Sequence, residues 1–282
     1  MNDSFNSISP DELRRLIGRP DCPPVIDVRR RAVFDTAETI IPGARWCDYA
    51  EVGQRARQLP DGADIVVYCV HGHNVSQAAM ADLRRLGFRA RALAGGIETY
   101  TERGGMLLTK SAMPLSGWET PSRWITRERP KIDRIACPWL VRRFIDPTAE
   151  FYYVAADQVE AAGQDLNATP YDIPGAAFSH DGEFCSFDAF IRRFGIKEPA
   201  LDRLAVIVRG ADTGHPELAP QCAGLLAASL GLSALYTDDH EMLRHGLTLY
   251  DAYYGWCREA SAETHGWPPV ATANAPKQKA GR

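Results

Sequence analysis

The chain has 282 residues, 45% apolar and 24% charged, ordinary globular usage that excludes a disordered, fibrous or disulfide-stapled protein. Thirty-two Lys and Arg against 36 Asp and Glu leave a formal charge of −4, so there is no basic field to hold nucleic acid and no nucleic-acid partner is expected. At about 150 residues per domain, the length suggests two domains.

The longest nearly apolar stretch, Ala219 to Leu232, carries Gln221 and two glycines and falls short of the ~18 residues a membrane span needs. No membrane association is expected. The opening residues lack the apolar core of a signal peptide, and the seven cysteines fall singly with no CxxC pair. That pattern predicts reduced thiols in a cytoplasmic protein.

Ser9-Pro10-Asp11-Glu12 is a capping box with proline at the first helical position, predicting a helix that ends near Gly18. Val25 to Val28 reads as a short buried strand, and Asp64 to Tyr68 as a second, after the turn Pro60-Asp61-Gly62. A helix from Ser76 to Leu86, a strand from Arg89 to Leu93, a Gly95-Gly96 turn and a helix from Ile97 to Arg103 follow. Alternating strands and helices predict a parallel sheet covered on both faces.

Between Gly104 and Pro121 the periodicity fails, which places a boundary there. Beyond it, Cys137 to Phe144 reads as a helix and Leu201 to Val208 as a helix or buried strand. Ala219 to Leu230 reads as a well-buried helix, and Glu241 to Cys257 as a helix with aromatics along one side. The expected organisation is an α/β domain over residues 1–106, a linker over 107–121, a largely helical domain over 122–264 and a disordered tail over 265–282.

Cys69-Val70-His71-Gly72-His73-Asn74-Val75-Ser76 carries the most chemistry. A cysteine leaving a buried strand just before a helix can receive converging backbone N–H groups and the partial positive charge of the helix N-terminus. Both favour the thiolate, the nucleophilic form. His71 and His73 add positive charge when protonated. A buried strand-end cysteine beside a polar loop is the inert alternative.

Cys69-x-x-Gly72 with Ala78-Ala79, Asp27-Val28-Arg29, Ile41-Pro42-Gly43-Ala44, and Leu93-Ala94-Gly95-Gly96-Ile97 with Tyr100 occur in this order over about 75 residues. In these motifs the N-terminal part resembles a single-domain rhodanese, the sulfurtransferase family. The resemblance implies double displacement: Cys69 takes sulfur from a donor, becomes a persulfide, and passes the sulfur to cyanide or a thiol. It implies that the amides of Val70, His71, Gly72, His73, Asn74 and Val75 hold the persulfide, that Asp27 and Arg29 brace the loop, and that no cofactor is required. The expected partners are a small-molecule sulfur donor and a thiol acceptor; the oligomeric state stays open.

Two positions depart from that pattern. Many members carry arginine where this chain has Asn74, and the missing guanidinium predicts poor use of thiosulfate. It also argues against a phosphatase or arsenate reductase. Ala37-Glu38-Thr39 stands where Gly-His is usual.

Lys131 to Leu140, Phe178 to Cys185 and Val208 to Thr213 give residues 123–257 a resemblance to the C-terminal domain of chromate-resistance regulators. That implies a setting of oxyanion or metal stress more than a reaction. From the residues themselves, His180, Glu183 and Asp212 are candidate ligands for a divalent Mn, Fe or Zn, with Asp133 and Asp188 as further carboxylates. The bland readings are a hydrogen-bonded turn histidine and a buried Asp133-Arg134 ion pair. Cys137, Cys185, Cys222 and Cys257 read as core thiols, with a sulfur relay from Cys69 to Cys185 as a further possibility. His215, His240 and His245 are expected to face solvent. The leading expectation is a sulfurtransferase; the alternatives are a non-catalytic oxyanion or metal sensor and a metal-dependent redox enzyme centred on the second domain.

Overall fold

A computed structural model describes residues 6–113 and 119–263. The disorder expected over 265–282 and the middle of the expected linker lie outside the described residues. The first part runs β1 (Ser7–Ile8), α1 (Pro10–Leu16), β2 (Val25–Asp27), α2 (Arg31–Thr36), β3 (Thr39–Ile40), β4 (Ala44–Trp46), α3 (Val52–Ala56), β5 (Asp64–Tyr68), α4 (Asn74–Arg85), β6 (Arg89–Leu93) and α5 (Gly96–Glu102). The Ser9 hydroxyl accepts from the Glu12 amide at 3.1 Å, so the capping box starts α1 as predicted. Five strands form one parallel sheet in the order β1-β6-β5-β2-β4. β5, the central strand, is buried from Ile65 to Tyr68, as its continuous β-branched run requires.

The second part runs β7 (Leu108–Thr109), β8 (Arg123–Arg127), α6 (Asp133–Leu140), β9 (Glu150–Val154), α7 (Val159–Leu166), β10 (Thr169–Pro170), α8 (Ser186–Arg193), α9 (Pro199–Asp212), α10 (Cys222–Leu235) and α11 (Asp239–Gly255). It is largely helical, with Leu201 to Val208 inside a helix. A small parallel sheet in the order β10-β8-β9 was not anticipated from the sequence. In β8 the residues alternate between two apolar clusters, Trp124 facing one and Ile125 the other, the period-2 pattern of a strand. α10 differs from expectation in burial. Only Cys222, Leu225, Ser229 and Ser233 are buried, while Leu230 is half exposed and Leu235 is 74% exposed. Its contacts with α9 and α11 cover one narrow strip of a helix that is apolar all round.

The region after α5 is not a free tether. β7 pairs antiparallel with β3, Leu108 is fully buried, and the Thr109 amide donates to the Phe194 carbonyl at 2.9 Å. Thr39, one of the positions departing from the rhodanese pattern, belongs to this added pair. A single apolar cluster runs from Ile8 and Tyr100 through Trp124, Trp139 and Phe144 to Cys257, so both parts share a core. Arg258 reaches across to the carbonyls of Arg14, Arg15 and Ile17 at the end of α1, acceptors that no later helical turn satisfies.

Asp146 is the most heavily bonded carboxylate at this junction. Arg45 of β4 approaches it at 2.7 Å, and Ser122 and Thr148 add amide and hydroxyl donors. Burial alone would raise its pKa, but these donors together outweigh burial and hold the carboxyl below the usual range. Asp146→Asn should therefore lower stability by about 3 kcal/mol at neutral pH, since it strands a mostly buried guanidinium. A depressed folded-state pKa gives stability that is present above the unfolded value and lost as pH falls through the folded one. The gap between wild type and variant, read from thermal midpoints, should close progressively below about pH 4; a gap constant with pH would contradict this role.

Candidate functional site

β5 ends at Tyr68 and α4 begins at Asn74, so Cys69 sits at the carboxyl end of the central strand, where open α/β sheets bind their ligands. The helix starts two residues earlier than the sequence suggested. Cys69 is 7% exposed, and its sulfur lies 3.2 Å from the Ser76 hydroxyl. Burial opposes ionisation, but the Ser76 hydroxyl and the amides of Ser76, Gly72 and His73 outweigh it, so the thiol pKa lies below its ordinary value. Of the six loop residues expected to offer amides, Gly72 and His73 face the sulfur in this state. Ser76, just past that span, was missed as a direct partner; its position on the first turn of the helix was the available signal.

The loop is held from outside by the N-terminal turn of α5. The Ile97 and Glu98 amides donate to the carbonyls of Cys69 and Val70 at 3.0 and 3.2 Å. A Cβ on Gly96 would stand 2.2 Å from the Val70 carbonyl, and one on Gly72 2.7 Å from the Leu93 carbonyl. Both glycines also have positive φ, so the Gly95-Gly96 turn and the Cys69 loop fit only without side chains there. His71 turns to Glu98 at 2.8 Å, with both side chains solvent-exposed. His73 and Asn74 are exposed, and Val75 is half-buried.

Asp27 and Arg29 lie one layer beneath. They form a buried ion pair with Nε 2.9 and 3.0 Å from the two carboxylate oxygens. The Tyr68 hydroxyl donates to Asp27 at 2.9 Å, Arg29 donates to the Thr39 carbonyl, and Trp46 donates to the Arg29 carbonyl. Their direct partners are the strand ends and Tyr68, and they reach Cys69 through Tyr68.

A second constellation lies in the helical part. His180 Nε2 is 3.2 Å from Asp133, 3.3 Å from Asp172 and 3.3 Å from Asp212. Asp133 opens α6, following Ile132 at φ 43, a left-handed conformation rare for a β-branched residue. The Tyr250 hydroxyl holds it by donating to the Ile132 carbonyl at 2.7 Å. Asp172 accepts from Arg127, Ser186 and Arg134. The hydrogen bond to Asp133 leads in raising the His180 pKa, and burial followed by the Asp133 charge raises that of Asp212.

Several sequence expectations are corrected here. Glu183 does not join His180 and Asp212: it is exposed at the tip of a turn closed by the Asp181–Phe184 amide–carbonyl pair, and Asp133 takes its place. Arg134 pairs with Asp172 rather than with Asp133. Cys185 has no exposed surface, and burial drives its thiol strongly toward the neutral form, which disfavours it as a sulfur acceptor. Cys137, Cys222 and Cys257 are likewise fully buried. Asp188 is engaged by Arg209, and His245 is half-buried and stacked 4.0 Å from Tyr236 rather than facing solvent.

Ser76→Ala should slow alkylation of Cys69 by iodoacetamide at neutral pH on the order of tenfold, the effect of losing a hydrogen bond of about 1.5 kcal/mol to a charged group. The pH–rate inflection should move upward, because less thiolate forms at a given pH. An unchanged inflection would remove Ser76 from the site.

Residues 9–103 match the rhodanese-like domain family, and residues 124–257 match the family described as the ChrB C-terminal domain. Protein ChrB of Cupriavidus metallidurans is 33% identical over 133 residues, which cover 47% of this chain and 40% of that protein. The chain thus spans well under two thirds of the length of this curated relative. Among solved structures, a rhodanese-related protein from Thermoplasma volcanium is 26% identical over 36% of this chain and 97% of its own, with a TM-score of 0.32. A thiosulfate sulfurtransferase from Pseudomonas aeruginosa is 25% identical over 36% of this chain and 19% of its own, also with a TM-score of 0.32. No helix among the described residues is long and apolar enough to cross a membrane. One chain thus joins a part that matches the rhodanese-like domain family, residues 9–103, to a part that matches the ChrB C-terminal domain family, residues 124–257.

Proposed function

We propose that the protein is a sulfurtransferase that carries sulfane sulfur on Cys69. The observation that carries this reading is the geometry around the sulfur: the Ser76 hydroxyl lies 3.2 Å away and the amides of Gly72, His73 and Ser76 face it beside the N-terminus of α4, an arrangement that favours the thiolate. In the first half-reaction the Cys69 thiolate attacks the outer sulfur of a donor such as thiosulfate. A new S–S bond forms, the donor's S–S bond breaks, and sulfite leaves with the bonding pair. In the second, a thiolate or cyanide attacks the terminal sulfur and Cys69 departs as thiolate. The transfer consumes no external oxidant or reductant, and splitting it in two lowers each barrier. The loop amides stay fixed while charge moves from sulfur to sulfur, so little reorganisation is needed.

Asn74 shapes the donor choice. It occupies the first position of α4 and is exposed, and no guanidinium stands there to grip a sulfonate. The preferred donor is therefore one that does not depend on such a grip. The ChrB C-terminal domain supports a setting of chromate or metal stress, in which a thiol acceptor is the natural recipient.

Sulfur transfer to cyanide from thiosulfate and from 3-mercaptopyruvate tests this reading. Turnover is expected with at least one donor and should vanish in Cys69→Ala. No turnover with either donor would favour a sensor that retains the fold without the reaction. Asn74→Arg should lower the KM for thiosulfate roughly tenfold or more, the contribution of a charge-assisted hydrogen bond. An unchanged KM would mean that the position does not face the donor.

A further inference from the structure

The three motifs of the second domain converge on one point. Asp133 comes from the first, His180 from the second and Asp212 from the third, and one ligand atom of each lies within 4.8 Å of the others. Hydrogen bonding alone accounts poorly for this geometry. An imidazole Nε2 carries at most one proton, yet it faces three carboxylate oxygens at 3.2 to 3.3 Å. Charged N–H···O contacts close to about 2.7–2.9 Å, and none of the three does so.

The same distances suit a different arrangement. Bonds of about 2.0–2.1 Å to one ion give ligand–ligand edges of roughly 2.8–3.0 Å in an octahedral shell and roughly 3.3–3.4 Å in a tetrahedral one. Charge points the same way. Asp172 is neutralised by Arg127 and Arg134, whereas among the described residues no arginine or lysine pairs with Asp133 or Asp212. Asp133 is 2% exposed and the Asp212 side chain 14%, and among the described residues their shared cationic partner is the His180 imidazole. The cluster has an edge open to solvent, the His180 side chain being 41% and that of Asp212 14% exposed.

We infer that Asp133, His180 and Asp212 bind a divalent first-row ion, with one nitrogen and at least two carboxylate oxygens as ligands. Lacking thiolate, the set suits Mn²⁺, Fe²⁺ or Zn²⁺ rather than a soft ion. Asp172 positions the cluster and is held back by its arginines. The thiol of Cys185, a few residues after His180, donates to Asp188 at 3.4 Å and is not a ligand.

The test loads the chelator-stripped full chain with Mn²⁺, Fe²⁺ under anaerobic conditions, or Zn²⁺, and measures bound metal after gel filtration together with the thermal midpoint. One ion per chain and a raised midpoint are expected in the wild type and equally in Cys69→Ala, which separates this site from the sulfur chemistry. Asp133→Asn and Asp212→Asn should weaken binding by more than about 100-fold, beyond the 10- to 100-fold typical of outer partners, while Glu183→Gln should bind as the wild type does. Should either asparagine variant fail to fold, the visible spectrum of the Co²⁺-loaded wild type decides. Weak ligand-field bands without thiolate charge transfer support the site, and a thiolate band overturns it. Failure of the wild type to retain any of these ions, or full retention in a folded Asp212→Asn, also overturns it.

Discussion

A guanidinium and a carboxylate, Arg29 and Asp27, meet in the interior with almost no exposed surface, and the strand ends around the Cys69 turn are tied to that pair. Asp27 ends β2 and receives the Tyr68 hydroxyl from the end of β5; Arg29 reaches the Thr39 carbonyl; the Tyr68 oxygen in turn accepts from the Ile41 amide. Removing one partner of such a pair strands a desolvated charge, at a cost of about 3–5 kcal/mol. The network therefore does more than stabilise. It fixes where β5 stops, and one residue later the chain must turn with its amides directed at the sulfur. A strand end that could slip would place Cys69 outside the reach of Ser76 and lose the thiolate.

The same economy joins the two domains. α5 closes the cysteine loop with its first amides and contributes Tyr100 to the core shared with the helical domain. β3 follows the Arg29 contact and pairs with β7, whose Thr109 bonds to the end of α8. Asp146 gathers Arg45 from β4. A rhodanese-like domain standing alone would present much of this surface to water; here the ChrB C-terminal domain covers it. Chemistry and cover are thus linked through α5 and β3, while the direct partners of Cys69, at His73, Ser76 and Ile97, lie in the first domain.

Much of the first domain was legible in the sequence because its signals are local. The capping box at Ser9, the β-branched run of β5 and the glycines at 72 and 96 each dictate one conformation, and the structure has them. Thr39 and Leu108 escaped because two-residue strands carry no period of their own and exist only through each other. In the second domain the helices were legible, whereas β8 and β9, with tryptophan and tyrosine among charged residues, were read through. The burial of α10 was overstated because hydrophobicity on every face says nothing about how many faces find partners. His180 and Asp212 were found by residue type. Glu183 is close to His180 in sequence, but a four-residue turn through Gly182 points it to solvent, while Asp133, 47 residues upstream of His180, is brought in by tertiary packing that no spacing rule describes.

The central claim is that the Cys69 turn makes a thiolate able to hold a sulfur atom covalently. Mass spectrometry of the wild-type chain after brief exposure to a sulfane donor, followed by peptide mapping, addresses it most directly. The account predicts an added mass of about 32 Da, one sulfur, confined to the peptide containing Cys69 and removed by cyanide. Sulfur found on another cysteine, or none on Cys69 under conditions where iodoacetamide alkylates it readily, would contradict the account.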